Sequence, residues 1–142
     1  MFRQVTESVF ASPQIGIEAI AEAKALGIVR IINNRPEGES DDQIPGDAIE
    51  AAAREAGMDY VAIPVTHAGF SQAQVDAMAQ ALDSAEGPVL AYCRSGTRST
   101  LLWALARAKA GDNPAVIASK AAAAGYDVTP VRQLIEMLSA GG

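Results

Sequence analysis

Apolar positions along the chain alternate between two periods. Short β-rich runs, "IVRIINN" (28–34), "DYVAIPV" (59–65) and "PVLAYC" (88–93), lie between stretches with helical spacing, "PQIGIEAIAEAKALG" (13–27), "GDAIEAAAREAG" (46–57) and "SQAQVDAMAQALDSAEG" (71–87). Strands that alternate with helices make a parallel sheet with helices on its faces. A further strand is expected near "SVFAS" (8–12), and beyond Cys93 the pattern is helical throughout: "RSTLLWALARAKAG", "PAVIASKAAAAG" and "PVRQLIEMLSA". The fold class is therefore α/β, a single three-layer domain over residues 1–142 with a largely parallel central sheet flanked by helices.

Local signals punctuate the helices. Ser12-Pro13, Asn113-Pro114 and Thr129-Pro130 each place a capping residue before a proline at a first helical position, and Gly27, Gly57, Gly111 and Gly125 stand where helices close. The long irregular stretch "RPEGESDDQIPG" (35–46) is polar and acidic, and reads as a solvated surface loop.

Composition narrows the chemistry. With a net charge of −6 and no basic block, the chain has no patch suited to nucleic acid or an anionic membrane. No run reaches the apolar length of a membrane span, and the first residues lack the form of a signal peptide, so a cytoplasmic location is expected. The chain has one cysteine, Cys93, and one histidine, His67. That excludes an intrachain disulfide and the usual metal-ligand clusters, and no metal or other cofactor is expected.

Cys93 ends an apolar strand and is followed at once by "RSGTRS" and a helix. A strand-to-helix turn at the carboxyl end of a parallel sheet is where such folds bind ligands. Gly96 lets the backbone approach a bound group, and Arg94, Ser95, Gly96, Thr97 and Ser99 form a candidate anion-binding loop. The helix N-terminus and the arginines favour the thiolate form of Cys93, making it the candidate nucleophile with Arg98 as its catalytic partner.

The motif "CRSGTRS" resembles the active-site loop of rhodanese-type sulfurtransferases and, more loosely, the phosphate loop of cysteine-dependent phosphatases. Together with "IINNRPEGE", "YVAIPV" and "GPVLAYCRSGTRSTLLWAL" it resembles the bacterial β-lactamase hydrolase-like, phosphatase-like domain family. That resemblance implies a protein-tyrosine-phosphatase-like fold, with a rhodanese-like sheet as the alternative. It also implies a metallo-β-lactamase-fold persulfide dioxygenase as a potential partner.

Two features of the residues separate the chemistries. Cysteine phosphatases space cysteine and arginine by five residues; here four intervene, and Ser99 occupies the fifth-spacing position. The loop after "YVAIPV", where related phosphatases often carry an acidic proton donor, reads "THAGFS". His67 is then the candidate substitute acid, with Asp76 another, and Arg35 a candidate rim charge unless it pairs with Glu37, Asp41 or Asp42. Tyr92 stands where many phosphatases have histidine. These points favour a thiosulfate or persulfide sulfurtransferase, which passes sulfane sulfur from a small anionic donor to a thiol acceptor or cyanide through a Cys93 persulfide. The alternatives are a phosphatase acting on a phosphate ester through a Cys93 phosphocysteine, and a non-catalytic anion or persulfide sensor.

Overall fold

Five four-residue strands carry the core: β1 (Arg3–Thr6), β2 (Val9–Ser12), β3 (Arg30–Asn33), β4 (Asp59–Ala62) and β5 (Val89–Tyr92). In the computed structural model, which describes residues 2–141, they form one sheet in the order β1-β2-β5-β3-β4. All pairings are parallel except β1 with β2. The helices are α1 (Ala19–Ala25), α2 (Gly46–Glu55), α3 (Gln72–Asp83), α4 (Thr97–Lys109), α5 (Pro114–Ala123) and α6 (Arg132–Gly141), with a 3-10 turn at Thr129–Val131 before the last.

β5 sits at the centre, paired on both sides, and all four of its residues are buried. The two-residue period of a strand sends Leu90 and Tyr92 to one face, among Ile15, Ile31 and Ile49 beneath α1 and α2. Val89 and Ala91 face the other side, where α4 brings Leu102, Trp103 and Leu105, and α3, α5 and α6 add Met78, Ile117 and Ile135. Every residue of α4 from Ser99 to Ala106 is buried. A helix apolar all round belongs in the middle of a core, and this one is enclosed by the sheet and three other helices.

The three-layer, largely parallel reading holds, with local corrections. β1 adds an antiparallel edge strand that the pattern hides, because exposed Arg3 and Gln4 break the apolar alternation and the pairing is irregular between Gln4 and Thr6. Ser12-Pro13 starts no helix: β2 runs to Ser12, whose hydroxyl donates to the Pro13 carbonyl at 2.8 Å, and α1 begins only at Ala19. At Asn113 the expected cap is present, its Oδ1 accepting from Ala115 N–H at 2.8 Å. Thr129 caps nothing. Its hydroxyl bonds to Asp127 Oδ1 at 2.6 Å, and the 3-10 turn intervenes before α6. Among the described residues no helix is long and apolar enough to cross a membrane.

Leu102 is fully buried between the sheet and the surrounding helices. Leu102→Ala is expected to destabilise the domain by about 2–5 kcal/mol. Urea titration should show this as a lowered midpoint with an unchanged slope.

Candidate active site

Cys93 follows β5 directly and is completely buried at the carboxyl end of the sheet. Its N–H donates to the Ser12 carbonyl at 3.3 Å, so neighbouring β2 fixes where the thiol emerges. The chain then turns through Arg94 and Ser95 to Gly96, whose φ of +91° lets it serve as the N-cap of α4. Gly96 N–H donates to Cys93 Sγ at 3.1 Å. A donor on the sulfur at the positive end of a helix stabilises negative charge there.

The loop's other polar groups do different work. Ser95 Oγ and Thr97 Oγ1 bond to each other at 3.0 Å on the outer side. Ser99 is buried with its hydroxyl unpaired, and Thr100 Oγ1 donates to the Gly96 carbonyl at 2.9 Å. Arg94 is exposed. Tyr92 is buried on the opposite sheet face, where burial raises its phenol's pKa and keeps it neutral.

The acidic stretch 35–46 is not simply a solvated loop. Glu39 folds back over the site, and Arg98 grips its carboxylate from Nη1 at 2.7 Å and Nη2 at 2.8 Å, while Arg98 Nη1 also donates to the Val65 carbonyl at 2.7 Å. Arg35 donates to the same carboxylate. Its Nε donates to Glu39 Oε1 at 2.9 Å, its Nη1 to Gln14 Oε1 at 3.0 Å and its Nη2 to Ser40 Oγ at 3.2 Å. With its side chain 4 % exposed, Arg35 is an internal brace and not a rim charge, and its partner is Glu39 and not Glu37, Asp41 or Asp42.

Hydrogen bonds from Arg98, and then from Arg35, outweigh the opposing effect of burial and hold the Glu39 carboxyl down to about 2. Hydrogen bonding to Glu39 in turn raises Arg98, and negative charge on Cys93 adds to that rise. Glu39, His67, Arg94 and Arg98 together line a cavity of about 280 Å³. His67 is on its exposed lip. Asp76 is elsewhere, on α3, paired with Lys109. A larger cleft of about 580 Å³ opens beside Trp103 and Arg107 at the β1–β2 turn, the end of the sheet opposite Cys93.

Tyr126, between α5 and the 3-10 turn, packs on the loop, and its hydroxyl donates to the Ser95 carbonyl at 3.3 Å. The Arg3 guanidinium lies 5.7 Å from its ring centroid. A Cβ on Gly96 would overlap the Tyr126 hydroxyl and come within 3.2 Å of the Ser12 carbonyl carbon. Neither Glu39 nor Tyr126 stands out in the sequence. Glu39 is one of four carboxylates between Glu37 and Asp42, and Tyr126 is a lone aromatic after a helix-closing glycine.

A buried cysteine capped by a loop amide, at the carboxyl end of a mostly parallel five-stranded sheet, defines a cysteine-loop domain of the protein-tyrosine-phosphatase-like fold. The structure of a cysteine-to-serine variant of TpbA from P. aeruginosa, in complex with pTyr, shares this fold, with a TM-score of 0.69 at 16 % identity over 99 % of this chain and 88 % of that one. Residues 1–110 match the "Beta-lactamase hydrolase-like protein, phosphatase-like domain" family, and the chain belongs to it. A "Beta-lactamase hydrolase-like protein" from Agrobacterium fabrum (strain C58 / ATCC 33970) is 39 % identical over 109 residues, which are 76 % of this chain and 25 % of that protein. This chain thus spans about a quarter of the length of the curated relatives it matches. A crystal structure from Neisseria meningitidis z2491, described provisionally as a phosphatase, superposes with a TM-score of 0.84 at 34 % identity, covering 96 % of each chain.

Two outcomes follow from this geometry. Because the Glu39 carboxyl is lowered on folding, its contribution to stability is complete above the ordinary carboxylate range and is lost as pH falls from about 4.5 towards about 2. Urea midpoints measured across that window should fall more steeply for wild type than for Glu39→Gln, which should already be less stable at neutral pH by about 1–3 kcal/mol. Gly96→Ala should disturb the loop through both its positive φ and the overlap with Tyr126. Alkylation of Cys93 under native conditions should report this as a changed rate, and an unchanged rate would contradict the packing described.

Proposed function

We propose that this domain is a cysteine-dependent phosphohydrolase that works through a phosphocysteine on Cys93. The observation that carries the reading is the Gly96 N–H on Cys93 Sγ at the head of α4, beside an arginine braced by a carboxylate. Membership of a phosphatase-like family supports phosphate chemistry over the sulfur transfer that the loop spacing suggests. In the first step the Cys93 thiolate attacks phosphorus, the S–P bond forms, and the leaving oxygen takes the electron pair of the broken P–O bond. Water then attacks the phosphocysteine, releasing phosphate and restoring the thiolate.

Arg98 has five N–H donors, of which Glu39 and Val65 engage three. The Nε–Nη2 edge remains to grip two phosphoryl oxygens, a bidentate contact that fixes the phosphorus over the sulfur. Loop amides of Arg94 and Ser95 oppose the developing charge, while Gly96 N–H stays on the sulfur and Thr97 N–H on Ser95 Oγ at 3.3 Å, and the exposed Arg94 draws the anion to the mouth. His67 forms the lip of the pocket.

The four-residue spacing between Cys93 and Arg98 supports a second reading, sulfur transfer. In that case Cys93 takes the outer sulfur of thiosulfate, sulfite leaves, and a thiolate or cyanide removes the sulfur from the resulting persulfide.

Intact-mass spectrometry with steady-state assays separates the two. Wild type should hydrolyse an activated aryl phosphate, be inhibited competitively by vanadate and trap one phosphoryl group. Cys93→Ser should lose about 10⁴-fold or more in turnover. Gain of one sulfur atom from thiosulfate, discharged by cyanide, with no hydrolysis of the ester, would establish sulfur transfer instead.

A further inference from the structure

The cavity that Arg94 and Arg98 of the cysteine loop line also contains two groups able to carry a proton, Glu39 and His67. Both Glu39 oxygens are committed: Oε2 accepts from Arg98 Nη1 at 2.7 Å, and Oε1 accepts from Arg98 Nη2 at 2.8 Å and Arg35 Nε at 2.9 Å. A carboxyl held at about 2 is an anion at any ordinary pH, whereas an effective proton donor titrates near the working pH. Donating would also require Glu39 to release the arginine that holds the substrate.

His67 is placed differently. It lies in an exposed turn fixed by Thr66, whose Oγ1 accepts from Ala68 N–H at 3.1 Å and whose carbonyl accepts from Gly69 N–H at 3.3 Å. The turn takes its shape from Thr66 and the backbone, and among the described residues no hydrogen bond aims the imidazole at the cavity. General acid catalysis needs a donor fixed within hydrogen-bond reach of the leaving atom. The other carboxylates of the 35–46 loop, Glu37, Asp41 and Asp42, do not line this cavity, with Glu37 accepting from Gly46 N–H at 2.9 Å and Asp42 from the Ser40 hydroxyl at 2.7 Å, and Asp76 is away on α3 with Lys109.

We infer that the leaving group departs from this site without a proton from the protein, and that the substrates are phosphoryl compounds with intrinsically stable leaving anions. Resting on the phosphohydrolase reading above, this names the class: aryl phosphates of acidic phenols, acyl phosphates and phosphoric anhydrides, in preference to alkyl phosphate monoesters. The step balances without a donor. Sγ–P forms, P–O breaks, and the electron pair leaves on a phenolate, carboxylate or phosphate that is stable in water; in the second step the attacking water passes its protons to the phosphate product and solvent.

The test is a leaving-group series: aryl phosphates spanning acidic to weakly acidic phenols, acetyl phosphate and a simple alkyl phosphate, assayed with wild type and His67→Gln. We expect kcat/KM to fall steeply as the phenol becomes less acidic, with the same slope in both proteins. Acetyl phosphate should group with the fastest aryl esters, and the alkyl phosphate should be slower by about 10²–10⁴-fold, the factor a general acid would supply. A shallow dependence in wild type that steepens in His67→Gln would make His67 the proton donor and overturn the inference. A shallow dependence in both would overturn it by revealing another donor. Absence of turnover and of phosphocysteine with every compound would instead defeat the phosphohydrolase reading itself, and this inference with it.

Discussion

The site depends on one carboxylate shared by two guanidinium groups. Arg35 and Arg98 both donate to Glu39, sharing its Oε1, and their like charges would repel at such close quarters without the anion. Each partner is largely screened from solvent, so the interaction is stronger than an exposed surface pair, and loss of one member would leave the others under-paired. The loop that delivers Glu39 is braced from within. Gln43 accepts from Glu39 N–H at 2.8 Å and donates to the Pro36 carbonyl at 2.9 Å, while Glu37 accepts from Gly46 N–H at 2.9 Å where α2 begins. An acidic segment thereby becomes a rigid wall.

That wall sets a local charge balance unlike that of the whole chain, whose net charge is −6. Positive charge is gathered at the carboxyl end of β5 and oriented there by hydrogen bonds, so the local field at the loop opposes the sign of the whole chain. Glu39 also limits what the site can do. It holds Arg98 in place, and in the same act its own carboxylate, which lines the cavity, is committed. Orientation and proton donation cannot both come from one side chain, and here the geometry uses it for orientation.

Much of this was legible in the sequence where local physics dominates. The period-2 and period-3.6 segments mark out the three layers, the capping residue at Asn113 works as read, and Cys93, Gly96 and Arg98 converge because they lie within six consecutive residues at a strand-to-helix turn. What the sequence concealed depends on contacts across long separations. Arg98 meets a residue 59 positions earlier, and Tyr126 reaches Ser95 across 31. No spacing rule selects Glu39 from its acidic neighbours, so the sequence leaves Arg35 open between a rim charge and an ion pair with Glu37, Asp41 or Asp42, and does not name Glu39 as its partner. The edge strand β1 escaped for a related reason: it is held by pairing with β2 and not by an apolar pattern of its own.

The short loop loses some of its force as a marker of sulfur chemistry once the phase of α4 is considered. The helix starts at Thr97, so Arg98 and Ser99 are consecutive residues of its first turn and point about 100° apart. Ser99 is buried, whereas Arg98 reaches sideways to Glu39 and the Val65 carbonyl and lines the cavity. An arginine at 99, the spacing of cysteine phosphatases, would have to place its charge under the helix. Four intervening residues are thus what this helix start requires for an arginine to stand beside Cys93, whichever anion the loop receives. On either proposed chemistry, the choice between phosphate and sulfur falls to the groups that line the cavity with Arg98, a Glu39 already committed and an imidazole at the lip.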